Sequence, residues 1–291
     1  AHVGEGKFVA VPFNHDEIVE VDCATGTTRV LASEVPGTFD RYSCCVVASN
    51  GLVYAPPDTS TQVLEVDPLT GAVAYIGPDL GEQDAKYAAC ALGADGCVYA
   101  PPFGASQVLK INPSTREVAT LGPALTCGGD EKYLAMVAAG DLLYSPPFAA
   151  ERVLEVNCAT GRVRAIGPVL PGGGKKYGVA VLGSNGKVYA PPFDALYLLE
   201  IDPATGSVKQ LGPRIPTTGA YMCMGSADGA LFAPPFNASR VLRVDPGRGA
   251  RLTGPVIRGA AEKYGAVAAS RDGGSRLYAA PWSTEKVLEI C

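Results

Sequence analysis

One unit of about 45 residues is written seven times along this chain, and a period of that length limits the fold before any local pattern is read. The residue before the Ala/Ser-Pro-Pro motif or its counterpart falls at Val9, Tyr54, Tyr99, Tyr144, Tyr189, Phe232 and Tyr278, with spacings of 45, 45, 45, 45, 43 and 46. A second marker, mostly a tyrosine after a basic residue, keeps the same period at Tyr42, Tyr87, Tyr133, Tyr177, Tyr221 and Tyr264. Within each unit, four short apolar segments alternate with turn chemistry. Ser184-Asn185-Gly186 and Ala94-Asp95-Gly96 supply the positive φ of tight hairpins. Asp67-Pro68-Leu69-Thr70-Gly71 and Asp202-Pro203-Ala204-Thr205-Gly206 place Pro early and Gly late in a turn. Gly77-Pro78, Gly122-Pro123 and Gly212-Pro213 end the fourth segment, because Pro cannot donate to a ladder.

Four antiparallel strands in about 45 residues, repeated, is the arithmetic of an all-β fold, a β-propeller of four-stranded blades. The innermost segments are rich in Ala, Gly, Ser and Cys, as blades converging on an axis require, while the third segments are bulkier (Val63-Leu64-Glu65-Val66). The chain is expected to form a single domain over 1–291, with repeats at 7–40, 41–84, 85–130, 131–174, 175–218, 219–261 and 262–291. The first unit opens on its second strand at Lys7 to Pro12 and the last stops at Cys291, which gives 26 strands. Seven blades then lack the inner strand of the first and the outer strand of the last; six blades, the alternative, leave one hairpin over. Seven is preferred because both end hairpins keep their full loop motifs, and Val287, Leu288 and Ile290 are expected to pack in the closing blade.

The units read Lys-Tyr-x-x-x-Val, Asn-Gly-x-Val-Tyr-Ala-Pro-Pro-Phe and Val-Leu-Glu-Ile-Asp-Pro-x-Thr-Gly. In layout this resembles the repeats of YVTN-type propellers. In its Lys-Tyr and Pro-Pro-Phe details it is similar to the uncharacterised repetitive propeller-like proteins of microalgae and other protists. The resemblance runs from Lys7 to Cys291 and implies a fold, with no catalytic residues to carry over.

Charge and composition exclude several functions. Lys+Arg 24 against Asp+Glu 29 gives a net charge of −5, which argues against a nucleic-acid groove. No apolar run approaches the roughly 18 residues of a membrane span, and no basic-then-apolar stretch opens the chain, so a soluble protein is expected, either without a targeting peptide or already stripped of one; its compartment is left open. Gly 35 and Pro 24 nearly exclude long helices.

By propeller geometry, Arg41, Lys86, Lys132, Lys176 and Lys263 would ring one face beside Tyr42, Tyr87, Tyr133, Tyr177, Tyr221 and Tyr264, with the Phe103, Phe148, Phe193 and Phe236 loops around them. Such a mouth suits a protein, a glycan or an anionic ligand: ammonium groups attract anions and aromatic faces give flat apolar contact. The structural alternative packs each tyrosine between blades and leaves each lysine solvated; Ala220 interrupts the ring.

Sulfur gathers on the inner strands at Cys44, Cys45, Cys90, Met136, Met222, Cys223 and Met224, where filling narrow space explains it better than a soft metal. Cys90 and Cys97 flank a hairpin turn and are the disulfide candidates. Glu20, Glu65, Glu155, Glu200 and Glu289, replaced by Lys110 and Arg243, read as solvated or inter-blade pairs. The inner strands carry no acid, His2 and His15 are the only histidines, and no nucleophile or phosphate-binding motif occurs, so no catalytic residue, metal ligand or cofactor is assigned. The expected function is therefore a non-catalytic binding or scaffold propeller. The alternatives are a hydrolase or lactonase-like enzyme with an axial metal, and a peripheral subunit of a larger assembly.

Overall fold

The computed structural model describes residues 1–37, 39–126, 129–259, 261–270 and 275–291. Its strands fall into seven separate antiparallel sheets taken in chain order, the blades of a β-propeller, and the described residues contain no helix. The first blade is β1 (His2–Gly4), β2 (Lys7–Ala10), β3 (Ile18–Asp22) and β4 (Thr27–Ala32); the second is β5 (Val46–Val47), β6 (Val53–Ala55), β7 (Val63–Val66) and β8 (Val73–Ile76). The third is β9 (Ala91–Leu92), β10 (Val98–Ala100), β11 (Val108–Asn112) and β12 (Glu117–Leu121); the fourth is β13 (Val137–Ala139), β14 (Leu142–Ser145), β15 (Val153–Asn157) and β16 (Val163–Ile166). The fifth is β17 (Val181–Leu182), β18 (Val188–Ala190), β19 (Leu198–Asp202) and β20 (Ser207–Leu211); the sixth is β21 (Gly225–Ala227), β22 (Ala230–Ala233), β23 (Val241–Asp245) and β24 (Gly249–Thr253). The seventh has three described strands, β25 (Tyr264–Ala269), β26 (Leu277–Pro281) and β27 (Leu288–Ile290).

Seven blades are thus present, and the expected gap in the first is corrected. His2–Gly4 pairs with Lys7–Ala10 across a turn in which Gly4, Glu5 and Gly6 all have positive φ, and this supplies the inner strand. Val287 also departs from expectation: it is 60% exposed, because pairing begins only at Leu288, while Ile290 is buried against Ala227, Phe232 and Leu277.

Two compact units divide the chain, Ala1–Leu143 with Val156–Arg164, and Tyr144–Glu155 with Ala165–Cys291. In the first unit, Tyr54, Val63, Val98 and Leu109 are fully buried between the second and third blades. In the second, Tyr189, Leu198, Leu231 and Leu242 do the same between the fifth and sixth. Each such aliphatic side chain contributes roughly 1.5–3 kcal/mol on leaving water.

The turns obey their sequence. Asp67 Oδ1 accepts from the amides of Leu69 and Thr70 and Oδ2 from the Thr70 hydroxyl, and these bonds hold its carboxyl below the usual range. Asn112 and Asp202 repeat the backbone part of this arrangement. The third-strand glutamates are less solvated than expected. Glu20, Glu65 and Glu155 are buried; Glu65 pairs with Arg116 of the next blade at 3.0 Å, and Glu155 accepts from its own blade's Tyr144 hydroxyl.

The thiol register overturns the proposed bridge. Tyr99 pairs with Ala91 and the Gly93 amide bonds to the Cys97 carbonyl, which sets Cys90 on the far side of the paired residues from Cys97; both remain free. Cys23 and Cys158 are free as well, the first exposed and the second buried. Cys127 lies outside the described residues.

Candidate functional site

The two repeated loop motifs meet in the backbone. Amides of Arg41, Lys86 and Lys132 donate to the carbonyls of Phe13, Asp58 and Phe103 in the blade before, at 3.0 Å each. In return, amides of Asp58 and Phe103 donate to the carbonyls of Arg41 and Lys86 in their own blade. The second unit repeats this ribbon: Lys176 to Phe148, Phe193 to Lys176, Ala220 to Phe193, Phe236 to Ala220, Lys263 to Phe236 and Trp282 to Lys263. Ala220 keeps the link without a basic side chain, because the link is made by main-chain atoms.

The side chains of the basic ring turn inward. Lys86 Nζ donates to the carbonyls of Thr59 at 3.2 Å and Gln83 at 2.6 Å. Lys132 reaches Gly104 and Gly129, Lys176 reaches Ala149 and Gly173, and Arg41 bonds to His15 O, Gly37 O and the Asp16 carboxylate. All four are buried, as is Lys263. Loss of water pushes the Lys86, Lys176 and Lys263 ammonium groups below their usual range.

The neighbouring tyrosines are equally enclosed. Tyr42, Tyr87, Tyr177 and Tyr221 donate to carbonyls of Gln62, Gln107, Tyr197 and Arg240, at the start of the third strand of their own blades. Tyr133 and Tyr264 are also buried. Burial raises the phenols of Tyr42, Tyr87 and Tyr177 to about 12. The ring therefore reads as a frame that ties each blade's loops to the previous blade.

Of the Pro-Pro-Phe aromatics, Phe103 and Phe193 are half-buried, while Phe148 and Phe236 are buried; Phe193 lies 6.4 Å from Phe148 and 6.1 Å from Phe236, centroid to centroid. Exposed aromatics stand at positions the repeat did not single out: Phe13 at 45%, Phe39 at 69% and Trp282 at 65%. Phe13 and Trp282 occupy the Phe place of the first and last repeats, and Phe39 sits in the adjoining loop, whose Arg41 amide bonds to Phe13.

In the first unit these loops border a cleft of about 420 Å³ lined by Thr59, Ser60, Gln62, Tyr75, Glu82 and Asp84, among others. Among the described residues no Lys or Arg lines it. Ser60 lies beside the Tyr42 phenol, yet its buried Oγ makes no well-formed hydrogen bond in the protein. Asp58, at the floor of the neighbouring loop, takes the place that other repeats give to an aromatic; the Ser43 hydroxyl donates to it, and burial pushes its carboxyl up. Thr59 Oγ1 and Gln62 Nε2 donate to the Phe39 and Gly77 carbonyls, which leaves the Glu82 and Asp84 carboxylates, the Thr61 hydroxyl and the Tyr75 phenol to exchange hydrogen bonds with a ligand's hydroxyls.

Among the described residues no three His, Cys, Asp or Glu converge as metal ligands. Cys223 and Met224 are buried, whereas Met222 points outward. Asp194 caps the Gly219 amide, and His15 accepts from Glu17 N.

No protein-family model matches the chain, nor does any curated protein sequence. Solved structures do match in shape. Virginiamycin B lyase from Staphylococcus aureus superposes with a TM-score of 0.71 at 14% identity over 95% of this chain and 88% of that one. The periplasmic gluconolactonase PpgL of Pseudomonas aeruginosa gives 0.62 at 17% over 94% and 86%. The extracellular domain of BT4673 from B. thetaiotaomicron gives 0.60 at 12% over 95% of this chain and 37% of that one. At these identities the likeness is one of fold, shared by enzymes and by an extracellular domain alike, and it makes this chain similar to propellers of differing function.

Proposed function

We propose that this propeller is a non-catalytic binding module whose loop face takes a hydroxyl-rich ligand, a free glycan or the glycan of a protein, in the cleft beside Tyr75. The observation that carries the proposal is the lining of that cleft: two carboxylates, three consecutive hydroxyl side chains, an amide and a tyrosine ring, with the nearby cations committed to loop carbonyls. Carboxylates and amides accept and donate to sugar hydroxyls, and a tyrosine face covers the apolar side of a pyranose. Lys86 serves this site by holding the Thr59 loop, and an anionic ligand is disfavoured by Glu82 and Asp84. Phe13 and Phe39 extend the face with exposed apolar rings.

Labelled protein screened against an array of neutral and acidic glycans tests the proposal. Retention of a neutral or amino glycan is expected, with a loss of at least about fivefold in the Tyr75→Ala and Glu82→Gln/Asp84→Asn variants, since each removes about 1–3 kcal/mol of contact. Exclusive binding of sulfated glycans, or unchanged affinity in both variants, would sink it. The competing reading, a lactonase-like enzyme with an axial metal, is separated by elemental analysis, because such an enzyme retains stoichiometric metal.

A further inference from the structure

The inner strands carry a thiol pair that the binding face does not use. In each repeat the second and third residues after the marker tyrosine face opposite neighbours. Cys223, two after Tyr221, directs Sγ to the Tyr264 carbonyl of the following blade. Met224, three after Tyr221, packs with Val179 and Tyr189 of the preceding blade. Cys45, three after Tyr42, likewise accepts from Ala1 N in the preceding blade at 3.5 Å. By the same rule Cys44, two after Tyr42, faces the third blade, and Cys90, three after Tyr87, faces the second. The two thiols influence each other's ionisation, β5 and β9 beside them lie against each other, and Cys90 packs against the core cluster to which Ala48 belongs.

We propose that Cys44 and Cys90 are a convertible dithiol, closing to a disulfide between the second and third blades when a low-molecular-weight disulfide such as oxidised glutathione is present. Both residues are only partly buried, so a small disulfide can reach them. One protein thiol, as thiolate, attacks the small disulfide, forms a mixed disulfide and expels one small thiolate. The second protein thiolate then attacks the protein sulfur of that mixed disulfide and expels the other small thiolate. Two S–H protons pass to the two leaving thiolates; the protein dithiol is oxidised and one small disulfide is reduced to two thiols. The interaction with Cys90, then burial and, more weakly, the charges of Cys45 and Asp58 raise the Cys44 thiol, so closure is slow at neutral pH and quickens with pH.

The test equilibrates the full chain with glutathione at graded oxidised-to-reduced ratios, alkylates the remaining thiols and maps peptides by mass spectrometry. A Cys45→Ser background removes the adjacent thiol from the peptide that carries Cys44. Expected are a Cys44–Cys90 cross-linked peptide pair, the loss of two alkylatable thiols, and closure accelerating by up to about tenfold per pH unit below the thiol pKa. Cys44→Ala and Cys90→Ala should each abolish the cross-link. Full alkylation of both residues at every ratio, glutathione adducts without a cross-link, or a cross-link from Cys44 to any other cysteine would overturn the proposal.

Discussion

Ser145 stands where the second, third, fifth and sixth repeats place Ala55, Ala100, Ala190 and Ala233, all fully buried, and its buried hydroxyl has no hydrogen-bond partner among the described residues. An unpaired buried hydroxyl costs about 1–3 kcal/mol. Ser145→Ala is therefore expected to stabilise the protein by about 1 kcal/mol, read as a higher denaturant midpoint at unchanged slope; a lower midpoint would mean that the hydroxyl has a partner. The buried lysines teach the complementary lesson about single residues. A lysine in a loop ordinarily keeps its charge in water, so Lys86 reads from sequence as solvated or ligand-facing. What placed it inside is a set of carbonyls from its own loop and from the loop of the previous blade, contributed by residues with no side-chain signature. The motif was visible, whereas its purpose depended on main-chain atoms that sequence patterns do not record.

Strand ends show the same limit at the level of elements. From the second blade to the sixth, the Gly-Pro that closes the fourth strand reads from sequence as a proline stop alone. A Cβ on Gly122, whose φ is +78°, would sit 2.5 Å from the Cβ of Val163, and Gly77 and Gly167 stand equally close to Val118 and Val208. The glycine thus permits close approach of successive outer strands, a contact between residues some 40 positions apart in sequence. Gly186, with φ +76° in a hairpin and nothing near its missing side chain, isolates the backbone contribution. Gly186→Ala is expected to cost about 1 kcal/mol through φ strain. Gly122→Ala adds overpacking of about 1–3 kcal/mol. Comparable midpoint shifts in the two variants would refute the close contact. The inner strand of the first blade is hidden in the sequence for a related reason: His2–Gly4 lacks the Lys-Tyr marker, and pairing with Lys7–Ala10 alone defines it.

Across the molecule, the repeat made fold and blade number legible, because seven copies of one hydrophobic and turn pattern admit few solutions. The cleft was not legible, because Tyr75, Glu82 and Asp84 lie outside the repeated motifs and only folding brings them together. Buried phenols also set a property of the whole chain. Tyr42, Tyr54, Tyr87 and Tyr177 have pKa values raised from 10.0 to about 12, mainly by burial. Between pH 10 and 12 the unfolded chain loses phenolic protons that the folded chain keeps, so stability falls as pH rises. Denaturant midpoints should hold to about pH 9 and then drop steeply, with phenolate absorbance from these tyrosines appearing together with unfolding. Their ionisation near pH 10 in a folded protein would contradict their burial. The backbone ribbon that joins a loop carbonyl of one copy to the amide before the marker tyrosine of the next bears, finally, on how such a chain can change length over evolution. Duplicating or deleting one whole period, wherever the cuts fall, leaves every such donor facing an equivalent acceptor, while a partial period strands both. Growth in complete copies is therefore the tolerated route, and side chains within a copy, as at Ala220, remain free to drift.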